Sequence, residues 1–303
     1  MTLDENEWLA NRFEEHRPHL QAVAYRMLGS LTEADDAVQD AWLRLSQSDA
    51  DAVENLGGWL TTVVARVCLN MLRSRNIRRE ESLSVHVPDL IIERESELQP
   101  EDEALLADSV GLALLVVLDT LAPAERLAFV LHDMFELPFE EIAPMVGRTP
   151  VAARQLASRA RRRVKGAEVR APAPRLARQR EVIDAFLSAA RGGDFDALVA
   201  LLDPDVILRI DGGPSHPAAS MVINGATAVA RKAQRGLRSS FDRPNFRLHH
   251  ALVNGAAGVI VALDKKPVTV IGFSFAEDRI VEIDAIADSD RVVRIAAAVI
   301  ADE

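Results

Sequence analysis

The sequence holds one cysteine, Cys68, so no disulfide can form within the chain. That usage fits a reducing cytoplasm. No apolar run is long enough to cross a bilayer: the longest covers residues 110–118, against the roughly 20 residues that a spanning helix needs. Residues 1–7 are acidic where a secretion signal would be basic and then apolar. There are no tandem repeats and no low-complexity tracts, and no His, Cys or Asp set stands at metal-ligand spacing. These absences lead us to expect a cytoplasmic protein with no membrane partner, no metal and no cofactor. Positive charge is also scarce overall. The formal net charge is -11, which taken alone argues against a nucleic-acid binder.

What is present changes that balance locally, because binding responds to the local field rather than to the average. Between Arg148 and Lys165 there are seven Arg or Lys and no acid, and between Arg66 and Arg79 five Arg and no acid. Acids gather instead at residues 33–40, 93–103 and 136–141. Two basic islands in an acidic chain suggest two contacts with a polyanion and an acidic face kept for another partner.

Periodicity organises the rest. Phe13, His16, Leu20, Val23, Ala24 and Met27 recur at helical spacing up to Gly29-Ser30. Thr32 is expected to cap a second helix whose first turn carries Glu33, Asp35 and Asp36 and whose inner stripe is Ala34, Ala37, Val38, Ala41 and Leu45. Gly57-Gly58 is expected to break the chain before a third helix over residues 59–79. Residues 79–99 lack clear periodicity and read as a linker. A second helical segment runs over residues 101–165. Beyond a stiff stretch at residues 171–174, helices are expected at 176–191 and 195–201. Strands are expected after them at 206–210, 246–253, 258–263, 268–275 and 280–286. Helices followed by consecutive strands predict an α+β domain with its helices on one curved sheet.

The sharpest motif spans residues 137–164. Ile142, Ala143 and Val146 give a short helix an apolar face. Gly147 can take the positive φ of a tight inter-helix turn, Thr149 is placed to cap the next helix, and Pro150 stands at its first position. In that next helix Ala153, Leu156, Ala157 and Ala160 share one face. Arg154, Gln155, Ser158, Arg159 and Arg162 share the other, flanked by Thr149 and Val151. Arg can donate in bidentate fashion to guanine, Gln pairs with adenine, and Ser or Arg fixes phosphates, so this face suits a major groove.

Residues 24–45 closely resemble region 2 of the extracytoplasmic-function sigma factors, in the helix that docks on the β′ clamp helices of RNA polymerase. Residues 58–75 resemble the part of that region that captures and melts the promoter -10 element. The helix-turn-helix, with its lead-in at residues 121–131, resembles region 4, the reader of the -35 element. The resemblance implies core RNA polymerase, through its β′ clamp helices and β flap, and promoter DNA as partners. It implies polymerase contacts at Asp36, Gln39, Asp40, Trp42 and Leu43. For the -10 element it implies Trp59, Thr62, Arg66, Asn70, Arg73 and Arg75, and for the -35 element the helix-turn-helix set just named. An acidic and aromatic helix face suits a basic protein partner, and Arg and Asn on the later helix suit phosphates and a melted strand. Trp42 and Trp59 are equally well read as core.

From about Leu176 the chain resembles the SnoaL-like branch of the nuclear transport factor 2-like fold, chiefly over residues 191–206. A sigma factor followed by such a cone is itself a subgroup, the sigma-J type. The implied fold is two all-α sigma domains followed by an α+β cone, over residues 1–80, 101–168 and 178–303, with linkers at 81–100 and 169–177. Three motifs of the subgroup depart here. Val87-Pro-Asp-Leu90 stands for Trp-Leu-Pro-Glu-Pro, Asp211-Gly-Gly-Pro-Ser215 for Asp-Gly-Gly-Gly-Lys, and Asp288-Ser-Asp-Arg-Val292 for Asn-Pro-Asp-Lys-Leu. Asp211, Gly212 and Gly213 are candidates for a contact or a pocket. Asp211, His216, His249, His250 and Asp284 are the polar candidates for acid–base chemistry, but no diagnostic spacing joins them. His249 and His250, adjacent in a strand, face opposite sides. The reading is a non-enzymatic initiation factor whose cone regulates it in cis, without need of a separate anti-sigma factor. The alternatives are a free-standing helix-turn-helix regulator and an enzyme-like, ligand-binding cone fused to a DNA-binding module.

Overall fold

In a computed structural model of the chain the described residues are 3–48, 55–79, 85–93, 112–168, 175–214 and 216–300. They fall in two compact units, Met1–Leu83 with Leu115–Glu168, and Ser84–Leu114 with Val169–Glu303.

The first unit is all helical. Helix α1 (Leu3–Leu28) buries Phe13, Leu20, Val23, Ala24 and Met27, and α2 (Leu31–Ser46) buries Ala34, Ala37, Val38, Ala41 and Leu45. The cap of α2 is Ser30 rather than Thr32: its hydroxyl accepts from the Glu33 amide at 3.4 Å. Helix α3 (Leu56–Arg79) starts earlier than its glycine pair suggests. The side-chain oxygen of Asn55 accepts from the Gly58 amide at 3.0 Å, satisfying a first-turn donor and making room for both glycines inside the helix.

Helices α4 (Leu112–Asp119), α5 (Pro123–Phe129), α6 (Phe139–Val146) and α7 (Pro150–Glu168) follow, with one π-helical turn at Val130–Met134. Arg126 is 1% exposed and joins the two halves of this unit. It donates to Asp119 at 3.2 Å and to the carbonyl of Arg26 at 3.2 Å. Phe135 lies between the ring of His19 and the guanidinium of Arg26. Cys68 is fully buried, and burial pushes its thiol up to about 12, which marks it as core.

The second unit contains helices α8 (Leu176–Gly192), α9 (Phe195–Leu201), α10 (Ala226–Phe241) and α11 (Ser289–Ile300). Its strands are β1 (Ile92–Glu93), β2 (Leu202–Asp211), β3 (Met221–Asn224), β4 (Phe246–Val253), β5 (Ala256–Leu263), β6 (Lys266–Ala276) and β7 (Arg279–Ile286). They form one sheet in the order β1-β4-β5-β6-β7-β2-β3, in which only β2 and β7 run parallel. Side chains alternate across each strand. Leu208, Val259, Phe273 and Ile283 therefore meet Ile183, Phe186 and Val229 of α8 and α10 in one apolar core. Arg209, Gly272 and Asp284, which lie side by side in register, point to the other face. Helices alone in the first unit and helices packed on one sheet in the second match the fold class that the resemblance implied, all-α followed by α+β.

The expected linker is the main departure. Residues 85–91 form no regular element, and β1 then pairs antiparallel with the edge of β4, Ile92 opposite Val253. Within the described residues, a segment without periodicity of its own is thus built into the C-terminal sheet. Among the described residues no helix is long and apolar enough to cross a membrane.

Candidate polymerase and promoter surfaces

Helix α6 ends on Gly147, whose φ of +66° lets its amide bond back to the Ala143 carbonyl and turns the chain into α7. Thr149 then caps α7, its hydroxyl accepting from the Ala152 amide at 3.3 Å. Ala153, Ala157, Ala160 and Val164 are buried beneath α7, while Thr149, Val151, Arg154, Gln155, Ser158, Arg159 and Arg162 are all exposed. Val151 is 63% exposed, an apolar end to an otherwise polar face and suited to a thymine methyl. Arg154 lies over the ring of Phe139. Arg161 pairs with Asp133, and Glu125 receives Arg159 at 3.6 Å and Arg163 at 3.1 Å. The Arg159 pair is half exposed on the arginine side and is worth at most about 1 kcal/mol. A bidentate contact to guanine, worth roughly 1–3 kcal/mol, outweighs it.

On α3, Trp59, Thr62, Arg66, Asn70 and Arg73 recur at three- and four-residue intervals and form one stripe. Arg66, Asn70 and Arg73 are exposed, while Trp59 and Thr62 are half-buried. Arg75 does not join them. It is 15% exposed, donates to the Leu28 carbonyl at 3.0 Å, pairs with Glu33 and lies 3.9 Å from Asp119. Two residues beyond Arg73 the helix has turned by about 200°, so Arg75 serves the interior of the unit. On α2, Asp36, Gln39, Asp40 and Leu43 form a single exposed stripe, with Leu43 48% exposed. Trp42 is half-buried against Phe13, ring centroids 5.2 Å apart, and belongs chiefly to the core.

Asp211 organises a third site. Its carboxylate accepts from the amides of Val87 at 3.0 Å and Gly213 at 2.9 Å and from Arg291 at 2.7 Å, with His86 at 3.5 Å. Burial opposes ionisation here, but His86, the two amides and Arg291 outweigh it and hold the carboxyl well below its usual range. Arg291 also donates to Asp89 at 2.6 and 2.8 Å and to the Val87 carbonyl at 2.7 Å. Asn254 closes the far end: its side-chain oxygen accepts from the Ile91 backbone amide at 2.6 Å, and its backbone N–H donates to the Ile91 carbonyl at 2.9 Å. Val87 and Leu90 are fully buried. Gly213, at φ +68°, is obligatory, since a Cβ there would overlap the Asp288 carboxylate. A segment between the two sigma-like halves is therefore clasped by the C-terminal sheet. Asp89, Asn254 and Arg291 were not among the residues chosen from the sequence. Asp89 and Arg291 stand inside two of the three departing motifs as a charge pair 202 positions apart, which no spacing rule reveals.

The acid–base candidates are not brought together. Asp211 is committed to the clasp, and His250 pairs with Asp184 at 3.2 Å on the helix side of the sheet. Asp284 bonds Arg209 at 3.2 Å on the opposite face. His216 opens the short 3-10 turn at Pro217–Ala219.

Comparison with known proteins shows what the chain is similar to. The family model for Sigma-70 region 2 matches residues 12–77, and that for Sigma-70, region 4 matches residues 111–164. The ECF RNA polymerase sigma factor SigJ of Mycobacterium tuberculosis is 37% identical over 253 residues, which cover 83% of this chain and 80% of the relative. The sigma factor SigI of the same organism is 37% identical over 246 residues, 73% of this chain and 83% of the relative. The crystal structure of SigJ superposes with a TM-score of 0.69 at 32% identity, covering 93% of this chain and 97% of that one.

Proposed function

This chain belongs to the extracytoplasmic-function RNA polymerase sigma factors, and from that premise we propose which of its surfaces meet polymerase and promoter and how its cone acts on them. The factor binds core RNA polymerase and directs promoter-specific initiation. In our reading residues 1–80 carry the polymerase and -10 contacts and residues 101–168 the -35 contacts. The stripe of Asp36, Gln39, Asp40 and Leu43 docks on the β′ clamp helices, and the region 4 half meets the β flap. Trp59, Thr62, Arg66, Asn70 and Arg73 face the -10 element, with Arg75 supporting them from within. Val151, Arg154, Gln155, Ser158 and Arg159 read the -35 groove, and Thr149 and Arg162 hold its phosphates.

The observation that carries regulation in cis is the clasp. The chain that must set the spacing between the -10 and -35 readers is held by Asp211, Asn254 and Arg291 of the cone. A partner that is part of the same chain acts at high effective concentration, so a separate anti-sigma factor is not required. The work is done in the cytoplasm and without catalysis, consistent with a helix-side interior filled by Val259, Phe273, Phe275 and Ile283. The test is transcription from one cognate promoter by core polymerase with wild type or Arg291→Ala at matched saturating concentration. Output that changes while core affinity stays constant supports the reading. Equal output and equal promoter affinity remove it.

A further inference from the structure

Residues 212–263 contain six Arg or Lys, namely Arg231, Lys232, Arg235, Arg238, Arg243 and Arg247, and a single acid, Asp242. This is a third basic island, and α10 supplies most of it. Val229 and Ala230 of that helix are buried and Ala233 and Leu237 pack on the same core, whereas Arg231, Arg235 and Arg238 are exposed along the opposite side. At about 1.5 Å per residue the stripe is roughly 10 Å long.

Four other helical arginines of the chain are each matched by an acid three or four residues away: Arg12 by Glu15, Arg17 by Glu14, Arg44 by Asp40 and Arg178 by Glu181. Helix α10 contains no acid at all, and among the described residues no carboxylate pairs with Arg231, Arg235 or Arg238. Like charges at these spacings each cost a helix about 0.2–0.5 kcal/mol, a cost that a polyanion lying along the stripe reverses. Beyond Thr227 in the first turn, the other polar groups of the helix are already engaged. Gln234 donates to the Gly193 carbonyl at 2.8 Å, and the hydroxyls of Ser239 and Ser240 both donate to the Gly236 carbonyl at 2.9 Å. What remains outward along the Arg231–Arg238 stripe is cationic, without the free Gln and Ser side chains that line the outer face of α7. Arg191, stacked over Phe241, adds charge at the far end. At the near end Arg231 shares an open cleft of about 620 Å³ with Arg279, Asn224 and Thr227, and no acid lines it.

From this we infer that α10 is a sequence-independent docking surface for the phosphate backbone of duplex DNA, so that the cone itself holds promoter DNA. The inference rests on the reading of the chain as a promoter-binding sigma factor. Each strand carries one phosphate per ~3.4 Å of duplex axis, so a stripe laid along that axis spans about three of them.

The test compares wild type with the triple variant Arg231→Gln, Arg235→Gln, Arg238→Gln, each full length and saturated with core polymerase, on one cognate promoter duplex between 50 and 200 mM salt. Loss of three phosphate contacts reduces the slope of log affinity against log salt by about 2.7. The order of preference among -35 base substitutions stays the same. The matching triple Arg→Lys variant keeps the wild-type slope, which separates lost charge from lost folding. An unchanged slope in the glutamine variant overturns the inference. So does a loss of affinity for core polymerase measured without DNA, because the stripe then serves an acidic protein surface. Wild-type holoenzyme that makes no promoter-specific transcript overturns instead the sigma reading beneath it.

Discussion

Asp284 shows how far one residue can be driven from its ordinary chemistry. It is fully buried, and burial pushes its carboxyl up to about 6 from the usual 3.8, with Glu282 adding to the rise and Arg209 opposing it. The folded state then holds this proton more tightly than the unfolded chain does. The stabilisation is complete below about pH 4 and is lost as pH rises through 6, on the order of 3 kcal/mol in all. Asp284→Asn is expected to raise the melting temperature at pH 8 while changing it little at pH 4, since Arg209 keeps Glu282 at 3.6 Å. Thermal unfolding of both proteins between pH 4 and 8 checks this, and parallel profiles would count against a proton held at Asp284. A second residue-scale expectation concerns Arg154 on the outer face of α7. Its replacement by Ala weakens the cognate -35 duplex by about 1–3 kcal/mol and relaxes preference at one base pair. Arg162→Ala weakens all sequences alike. Wild-type binding by Arg154→Ala would place the groove contact elsewhere.

At the scale of the element, α2 and α7 follow one rule: an apolar stripe fixes which residues face outward, and the outward set then decides the partner. In α2 that set is acidic, with Asp36, Gln39, Asp40 and Leu43 in line. Reversing charge at Asp36 and Asp40 together lowers affinity for core polymerase by an order of magnitude or more. It leaves thermal unfolding within about 0.5 kcal/mol, because neither side chain supports the core. Co-purification with core polymerase reads the first effect, and undiminished recovery would remove α2 from the interface. The π-helical turn at Val130–Met134 lies between α5 and the helix-turn-helix, and there His132 stacks on Phe139 with centroids 3.9 Å apart.

For the whole molecule the clasp is the feature with the widest reach. Arg291, Asp89 and Asp211 are each less than about an eighth exposed, and removing one member of such a group costs roughly 3–5 kcal/mol because the others stay buried without it. Arg291→Ala therefore releases residues 85–93 from the sheet. The expected signature is faster amide exchange at Ile91 and Ile92 and, in the same sample, an altered yield of transcripts. Protection that persists would mean that the β1 pairing and Asn254 suffice to hold the segment.

The amino-acid sequence by itself determined whatever depends on residues a few positions apart. The buried stripes of α1, α2 and α7, the Gly147 turn and the Thr149 cap are local consequences of helical periodicity and of one left-handed position. The strands from residue 246 onward likewise follow from local runs of β-branched and alternating residues. Tertiary structure decided the rest. It moved the cap of α2 to Ser30, drew Arg75 inward toward Glu33 and Asp119, and left β3, α10 and α11 to be found in the folded chain. It also turned a segment with no periodicity into a strand of the C-terminal sheet. The reason is physical: the partners of Val87, Asp89 and Ile91 are Asp211, Asn254 and Arg291, more than 120 positions away in the chain. A segment whose main hydrogen bonds are met at such distance carries no local pattern. Only the closed sheet, with β4 offering an open edge and Arg291 a buried charge to be met, determines where it lies.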